Sequence, residues 1–408
     1  MRRVVVTGMG VVSPLGRDID DVWQNALHGR SAVGLLDQPF AERLSSPLAA
    51  TARFDGSEHF DGPRLRMLDR VSQLGLVAAR DALRMSACDL AGIEPQRAAV
   101  FMGTGMAGTQ SNDEGYQALY GEHSDRIKPF TVLLGMHNAP AAWIALEHQI
   151  RGPSLTYSTA CSASAVAIGE AWLRIAGGSL DLAVAGGAEA PLSFGSLKAW
   201  EALHTIAAVD PQDPATSCKP FSRNRTGMVL GEGAAVLVLE AREHAMARGA
   251  PVLGEVLGYG VCTDVGHITR PSVQGQADAM LAALRSSGLQ PEQIGAINAH
   301  GTGTLANDAA ETAAIRQVFG RHAAGIPISA TKAVHGHLLG AAGALECVLS
   351  LLSLSRGAHL PTLHLREPDP ACDLDYVAQS ARTSNGVRYM LSNSFAFGGT
   401  NAVLALGA

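Results

Sequence analysis

The chain has 408 residues, 47% of them hydrophobic and 17% charged, with a formal net charge of −6. That balance excludes wholesale disorder and leaves enough apolar sequence for roughly two to three domains. A mildly acidic chain is a poor nucleic-acid binder, and six scattered cysteines with no C-x-x-C pair suggest neither a zinc site nor a disulfide scaffold, so a reduced, cytoplasmic setting fits.

Short β-rich runs predict strands over residues 3–7, 98–102, 154–158, 182–185, 235–239, 252–259, 294–299, 327–329, 376–378, 388–392 and 401–406. Helical patterning falls at 20–28, 68–85, 164–176, 243–248, 274–286, 308–319 and 338–354. The alternation argues for an α/β fold with sheets buried between helices. The strand, Gly-turn, helix theme restarts after about residue 250, which suggests two structurally similar halves, 1–250 and 251–408.

Two segments invite a membrane reading. The N-terminus starts basic and apolar, but Gly8 and Gly10 break the run and Val4 to Val6 suit a strand. Residues 338–354 nearly reach bilayer length, but Glu346 sits in the middle, so a buried core helix is expected. No membrane association is expected. Gly8-Met9-Gly10 follows a predicted strand, and residues 103–108 have G-x-G-x-x-G spacing. Neither is read as a nucleotide site, because no helix is expected to open on the last Gly and the acids come too early.

Cys161 ends the β-rich run Ser154-Leu155-Thr156-Tyr157-Ser158, and small residues lead from it into an apolar helix. Two readings stand: a buried structural Cys, or a nucleophile on a tight strand-to-helix corner. On the second, the helix N-terminus lowers the thiol pKa and the corner N–H serves an oxyanion. His300 follows a predicted strand and opens a Gly/Thr loop with Thr302 and Thr304. It is either a catalytic His or one hydrogen-bonded in a turn. Lys332, His335 and His337 precede a small-residue helix, whose N-terminus keeps a His neutral and donating. The H-x-H pair lacks a nearby third ligand, so no metal is expected. The loop Ser394-Phe395-Ala396-Phe397-Gly398-Gly399 either fills the core with its aromatics or forms an aromatic lid that offers backbone N–H groups. Arg64, Arg66, Arg126 and Lys128 form two short basic stretches, read as solvated faces or as docking points for an acidic partner.

Taken together, the chain resembles the β-ketoacyl-acyl carrier protein synthases of the elongating, type II kind. The resemblance rests on Val-Val-Val-Thr-Gly-Met-Gly-Val-Val-Ser-Pro-Leu-Gly, the Cys161 motif, Ala185-Gly186-Gly187-Ala188-Glu189, Asn298-Ala299-His300-Gly301-Thr302, His337-Leu338-Leu339-Gly340 and Ser-Asn-Ser-Phe-Ala-Phe-Gly-Gly-Thr-Asn. It implies a thiolase-like fold of two similar halves in α-β-α-β-α layers. It implies decarboxylative Claisen condensation of an acyl-enzyme thioester with malonyl-acyl carrier protein. Cys161 would hold the acyl chain, and His300 and His337 would polarise the malonyl thioester. The N–H groups of Cys161 and Phe397 would form the oxyanion hole, with Lys332 and Glu346 in support. Thr302, Thr304 and Thr269 would face the phosphopantetheine arm, and Met106 would line the acyl pocket. Phe395 and Phe397 would gate the site, and Arg64, Arg66, Arg126 and Lys128 would meet the acidic carrier protein. No cofactor beyond the carrier's arm is implied. A homodimer is implied, with a heterodimer with a chain-length factor, or a thiolase-type acyltransferase, as alternatives.

The chain departs from the common pattern at three positions. Leu305 replaces Pro, His335 replaces Thr, and Ala396 replaces the Gly between the two Phe. A Cβ at 396 disfavours positive φ and is expected to stiffen the loop. These departures lean towards specialised ketosynthases of the nodulation-factor or aryl-polyene type. A thiolase would carry a second catalytic Cys, and Cys372 lies outside any suitable turn.

Overall fold

The computed structural model describes residues 1–384 and 386–408. Ten strands form one sheet: β1 (Val4–Val12), β2 (Ala98–Gly103), β3 (Ser154–Tyr157), β4 (Leu182–Glu189), β5 (Gly233–Ala241), β6 (Gly254–Thr263), β7 (Ala296–Asn298), β8 (Ile328–Ser329), β9 (Tyr389–Phe395) and β10 (Thr400–Gly407). Their order is β8-β7-β9-β10-β6-β1-β5-β4-β2-β3. The two halves of that order have the same topology. In each, the first strand pairs antiparallel with the fifth, the fifth antiparallel with the fourth, and the next two pairings are parallel. A short antiparallel pairing of Val4–Val6 with Val256–Gly254 joins the halves.

Five long helices complete the layers: α1 (Arg70–Ser86), α2 (Ala163–Ala176), α3 (Val273–Ser287), α4 (Leu305–Phe319) and α5 (Ala342–Arg356). The central pair, α2 and α5, touch each other and strands of both halves, while α1 covers β1, β4 and β5, and α3 covers β6 and β10. The result is the layered thiolase-like arrangement. A central helix must be apolar all round. Every residue of α5 from Ala342 to Leu354 is buried, Glu346 included. The stretch Leu339–Arg356 is long and apolar enough to cross a membrane, and 83% of it is buried inside the protein.

Most predicted elements are present; β1, β4, β5, β9 and β10 run longer than predicted, β1 and β4 through their glycines, while β3, β7 and β8 are shorter than predicted. Residues 376–378 form only isolated bridges, from Tyr376 to Ile328 and from Ala378 to Thr362, rather than a strand. Helices at Thr109–Tyr116, Ala139–Glu147 and Phe194–Ala202 were not expected. The first opens directly after Gly108, so the G-x-G-x-x-G run does meet a helix.

Gly8 and Gly10 serve packing. A Cβ at Gly8 would lie 2.1 Å from the Ala82 carbonyl oxygen, and one at Gly10 would lie 2.0 Å from that of Ala78, both on α1. The strand and helix touch backbone to backbone. Gly10→Ala is therefore expected to destabilise the protein by about 3 kcal/mol, measured by urea unfolding.

Candidate active site

Strand ends of both halves carry the chemistry. From β3 the chain turns sharply into α2, with Cys161 at the corner. Ala160, just before it, sits at φ 49°, a strained left-handed conformation for a residue with a Cβ. The elbow read from sequence is thus present. The thiol is buried, and the backbone N–H groups of Cys161 and Phe397 favour its charged form.

His300 leaves the end of β7. Its backbone N–H donates to Glu311 Oε1 at 2.8 Å, and the N–H of Gly301 donates to Glu311 Oε2 at 2.9 Å. Asn393 Nδ2 holds the same carboxylate at 3.1 Å. His337 is clamped to the other half. Its N–H donates to the Val229 carbonyl at 2.7 Å, and its carbonyl accepts from the Gly231 N–H at 2.9 Å. The two imidazoles meet edge to face, with centroids 5.4 Å apart. Ligand atoms of Cys161, His300 and His337 lie within 4.8 Å of one another.

Hydrogen-bond partners assign the tautomers. His337 Nδ1 accepts the Leu339 N–H at 3.2 Å. Lys332 Nζ lies 3.3 Å from His300 Nδ1, donates to the His300 carbonyl at 2.7 Å and pairs with Glu346. With both Nδ1 atoms accepting, both Nε2 atoms carry the proton. This presents two N–H donors and a thiol, whereas metal ligation would need the Nε2 lone pairs. Burial, then the Lys332 charge, hold both imidazoles well below the usual histidine range, so they are neutral.

The expectation of a lowered thiol pKa is corrected here. Burial pushes Cys161 up to about 11, and the Lys332 charge and the two backbone N–H groups only partly oppose it. Desolvation of a thiolate outweighs the help of one helix end.

A cavity of about 170 Å³ opens onto this cluster, lined by Cys161, His300, His337, Thr302, Thr304 and Thr269 among others. Phe395, also on its wall, is buried and packs edge-on to His300. Phe397 lines the mouth and stacks on Trp200. Met106 is off the cavity wall, in one apolar cluster with Cys161 and Leu339. Ala396 is not left-handed, in line with its Cβ; the turn takes its left-handed residues at Gly398, φ 84°, and Gly399, φ 80°. Leu305 is 64% exposed at the start of α4. His335 is fully buried, with Nε2 3.0 Å from Thr331 Oγ1 and no partner for Nδ1. Arg64 pairs with Glu147 and lies over Trp143, and Lys128 pairs with Glu114. Arg66 and Arg126 are exposed.

Sequence reasoning missed the role of two buried carboxylates. Glu189 gathers the N–H groups of Gly105, Met106 and Gly340 and the Thr104 hydroxyl. Glu311 holds the His300 loop. A Glu among small residues was the available signal for the first, and the Asp308-to-Glu311 spacing facing that loop for the second.

The chain belongs to the β-ketoacyl synthase family. The family's "Beta-ketoacyl synthase, N-terminal domain" matches residues 1–245 and its "Beta-ketoacyl synthase, C-terminal domain" matches 253–366. The chain is 42% identical to Nodulation protein E of Rhizobium meliloti (strain 1021), over 99% of this chain and 98% of that one. It is 36% identical to 3-oxoacyl-[acyl-carrier-protein] synthase 2 of Staphylococcus aureus (strain N315), over 99% and 97%. Among solved structures it is similar to the ishigamide ketosynthase/chain length factor, with a TM-score of 0.93, 32% identity and coverage of 100% and 99%. It is an acyltransferase, and its reaction class is the Claisen condensation of acyl thioesters.

The neutral histidines have a stability consequence. Burial holds His335 down at about 3. The unfolded chain binds protons below about pH 6.5 while this native imidazole does not, so its contribution is complete above pH 6.5 and is lost as pH falls. In urea unfolding between pH 6 and pH 4, His335→Gln is expected to flatten the loss by about 1.4 kcal/mol per pH unit.

Proposed function

We propose that Cys161, His300 and His337 carry a decarboxylative condensation between an acyl group and malonyl-acyl carrier protein. The observation behind this is their convergence, with the thiol facing two neutral N–H donors. The Cys161 sulfur attacks the incoming acyl thioester. A new S–C bond forms, and the carrier's thiol leaves with the Cys161 proton. The two imidazoles then donate to the malonyl thioester oxygen. The bond to the carboxylate breaks, CO2 leaves, and the charge rests on an enolate oxygen that both N–H groups stabilise without needing to give up their protons. The enolate carbon attacks the acyl-Cys161 carbonyl, whose oxygen is received by the N–H groups of Cys161 and Phe397. The thiolate is expelled and is reprotonated from water.

Lys332, paired with Glu346, fixes the His300 tautomer. Thr302, Thr304 and Thr269 line the path for the phosphopantetheine arm, which the carrier brings; no further cofactor or metal is called for. Met106 and Phe395 border the acyl group. Arg66 and Arg126 are free to meet an acidic carrier protein, while Arg64 and Lys128 would first exchange their carboxylate partners. The half up to about residue 250 supplies the nucleophile, and the half after it supplies both histidines. A reduced cytoplasmic setting, without membrane or nucleic-acid partners, fits this role. The similarity to Nodulation protein E favours a specialised acyl chain over a housekeeping one.

With acyl- and malonyl-carrier protein, Cys161→Ser is expected to lower condensation more than about a hundredfold while CO2 release from malonyl-carrier protein persists, and His337→Ala to lower both. Wild-type protein that neither accepts an acyl group nor releases CO2 contradicts the reading.

We further propose that two copies pair through β3. The sheet ends there with an open edge, Ser154 and Leu155 are exposed, and Tyr116, Tyr120, Val132 and Leu133 are exposed apolar residues in the segment before it. In light scattering, wild type should be a dimer and Leu155→Lys a monomer. Wild type that is monomeric until co-expressed with a chain-length factor overturns the homodimer and supports the second reading, a heterodimer like the similar solved pair.

A further inference from the structure

The loop that carries the Phe397 N–H has little of its own to hold it in place. Its two following residues are left-handed glycines. Gly398 N–H donates to the Ile268 carbonyl at 2.7 Å, and the Asp264 N–H donates to the Gly399 carbonyl at 2.8 Å. That neighbouring segment is itself exposed: Val265 is 98% and Ile268 72% accessible. On the other side, the Phe397 ring stacks on the Trp200 indole, with centroids 6.0 Å apart and planes 24° apart. Trp200 lies on the helix Phe194–Ala202.

The same indole has a second contact. Its Nε1–H donates to the Met106 sulfur at 3.2 Å, and Ser196 Oγ, one turn earlier on that helix, approaches the same sulfur at 3.5 Å. Met106, Trp200, Ala396 and Cys161 belong to one apolar cluster, and Met106 is off the wall of the open cavity. A flexible side chain in the same apolar cluster as the thiol is thus tethered to the residue bracing the loop.

We propose that Trp200 is a positioning and chain-selecting residue: its ring braces the Phe397 loop against the nucleophile, and its N–H ties Met106 so that an acyl chain growing past Met106 must break that bond. This rests on the acyl-transfer reading above. A two-carbon acyl group on Cys161 leaves the tether intact. A long chain displaces the Met106 thioether, frees the indole N–H and loosens the brace. Transfer to Cys161 is therefore tuned against long chains by one hydrogen bond, and the oxyanion donor is tuned by one ring stack.

The test is acyl transfer to Cys161 followed by intact-mass spectrometry, with carrier proteins bearing two- to sixteen-carbon chains. Trp200→Phe keeps a ring for the stack and removes only the donor. It is expected to raise the long-to-short rate ratio about fivefold, the size of one net hydrogen bond. Met106→Leu removes the acceptor and should raise the ratio similarly, and the double variant should add nothing further, because both remove the same bond. Trp200→Ala removes the brace as well, and should lower the maximal rate for the two-carbon chain about tenfold with KM unchanged. A purely structural role would slow all chains alike. If wild type is acylated and Trp200→Phe has an identical chain-length profile, or its effect simply adds to that of Met106→Leu, the proposal is overturned. If wild type is not acylated by any chain, the acyl-transfer reading falls first.

Discussion

One buried ammonium organises the site. Lys332 is fully buried, and its three donors are directed to Glu346, the His300 carbonyl and His300 Nδ1. Burying a charge is costly unless it is paired and hydrogen-bonded, and here it is both. Its field acts on every reactive group at once. It lowers the pKa of His300, His337 and His335, and it is the largest influence pulling the Cys161 thiol back down. A positive charge here disfavours imidazolium and favours thiolate, so the same group keeps the donors neutral and eases the nucleophile. Replacing it by a neutral side chain would leave the Glu346 carboxylate unpaired in the core.

The fold makes this convergence possible. Because the two halves repeat one strand order, the turn after β3, which carries Cys161, and the segment after β8, which leads to His337, occupy corresponding places, while His300 follows the neighbouring strand β7. The central helices α2 and α5 then bring Cys161 and His337 to the same level of the molecule. Each half also braces the other. Glu189, on β4 of the first half, binds the Gly340 N–H of the second, and the His337 backbone is clamped by Val229 and Gly231. The reacting groups are thus held by backbone contacts across the molecule and not by loops alone.

The elements that carry chemistry were legible in the sequence because their signals are local. A β-run ending in Cys-Ser-Ala, a strand ending in His-Gly-Thr, and Gly-His-Leu-Leu-Gly before a small-residue helix each specify their own turn. The restart of the pattern after residue 250 foreshadowed the repeated topology. What stayed hidden depends on distance. Glu311 and Asn393 meet only after β9 has paired beside β7, and no local pattern links Trp200 to Phe397. The thiol pKa was misjudged because sequence shows the helix that favours a thiolate but not the depth of burial that opposes it. The helix Ala139–Glu147 is apolar on nearly all sides, so it lacked the period that marks a helix.

The central claim is that both imidazoles stand neutral, with the proton on Nε2, opposite the thiol. Nitrogen-15 NMR of histidine-labelled protein from pH 5 to pH 8, assigned with single-histidine variants, reads tautomer and charge directly. The structure predicts that His300 and His337 hold the Nε2–H neutral form throughout that range. Titration of either ring near pH 6.5, or a proton on Nδ1, would contradict it.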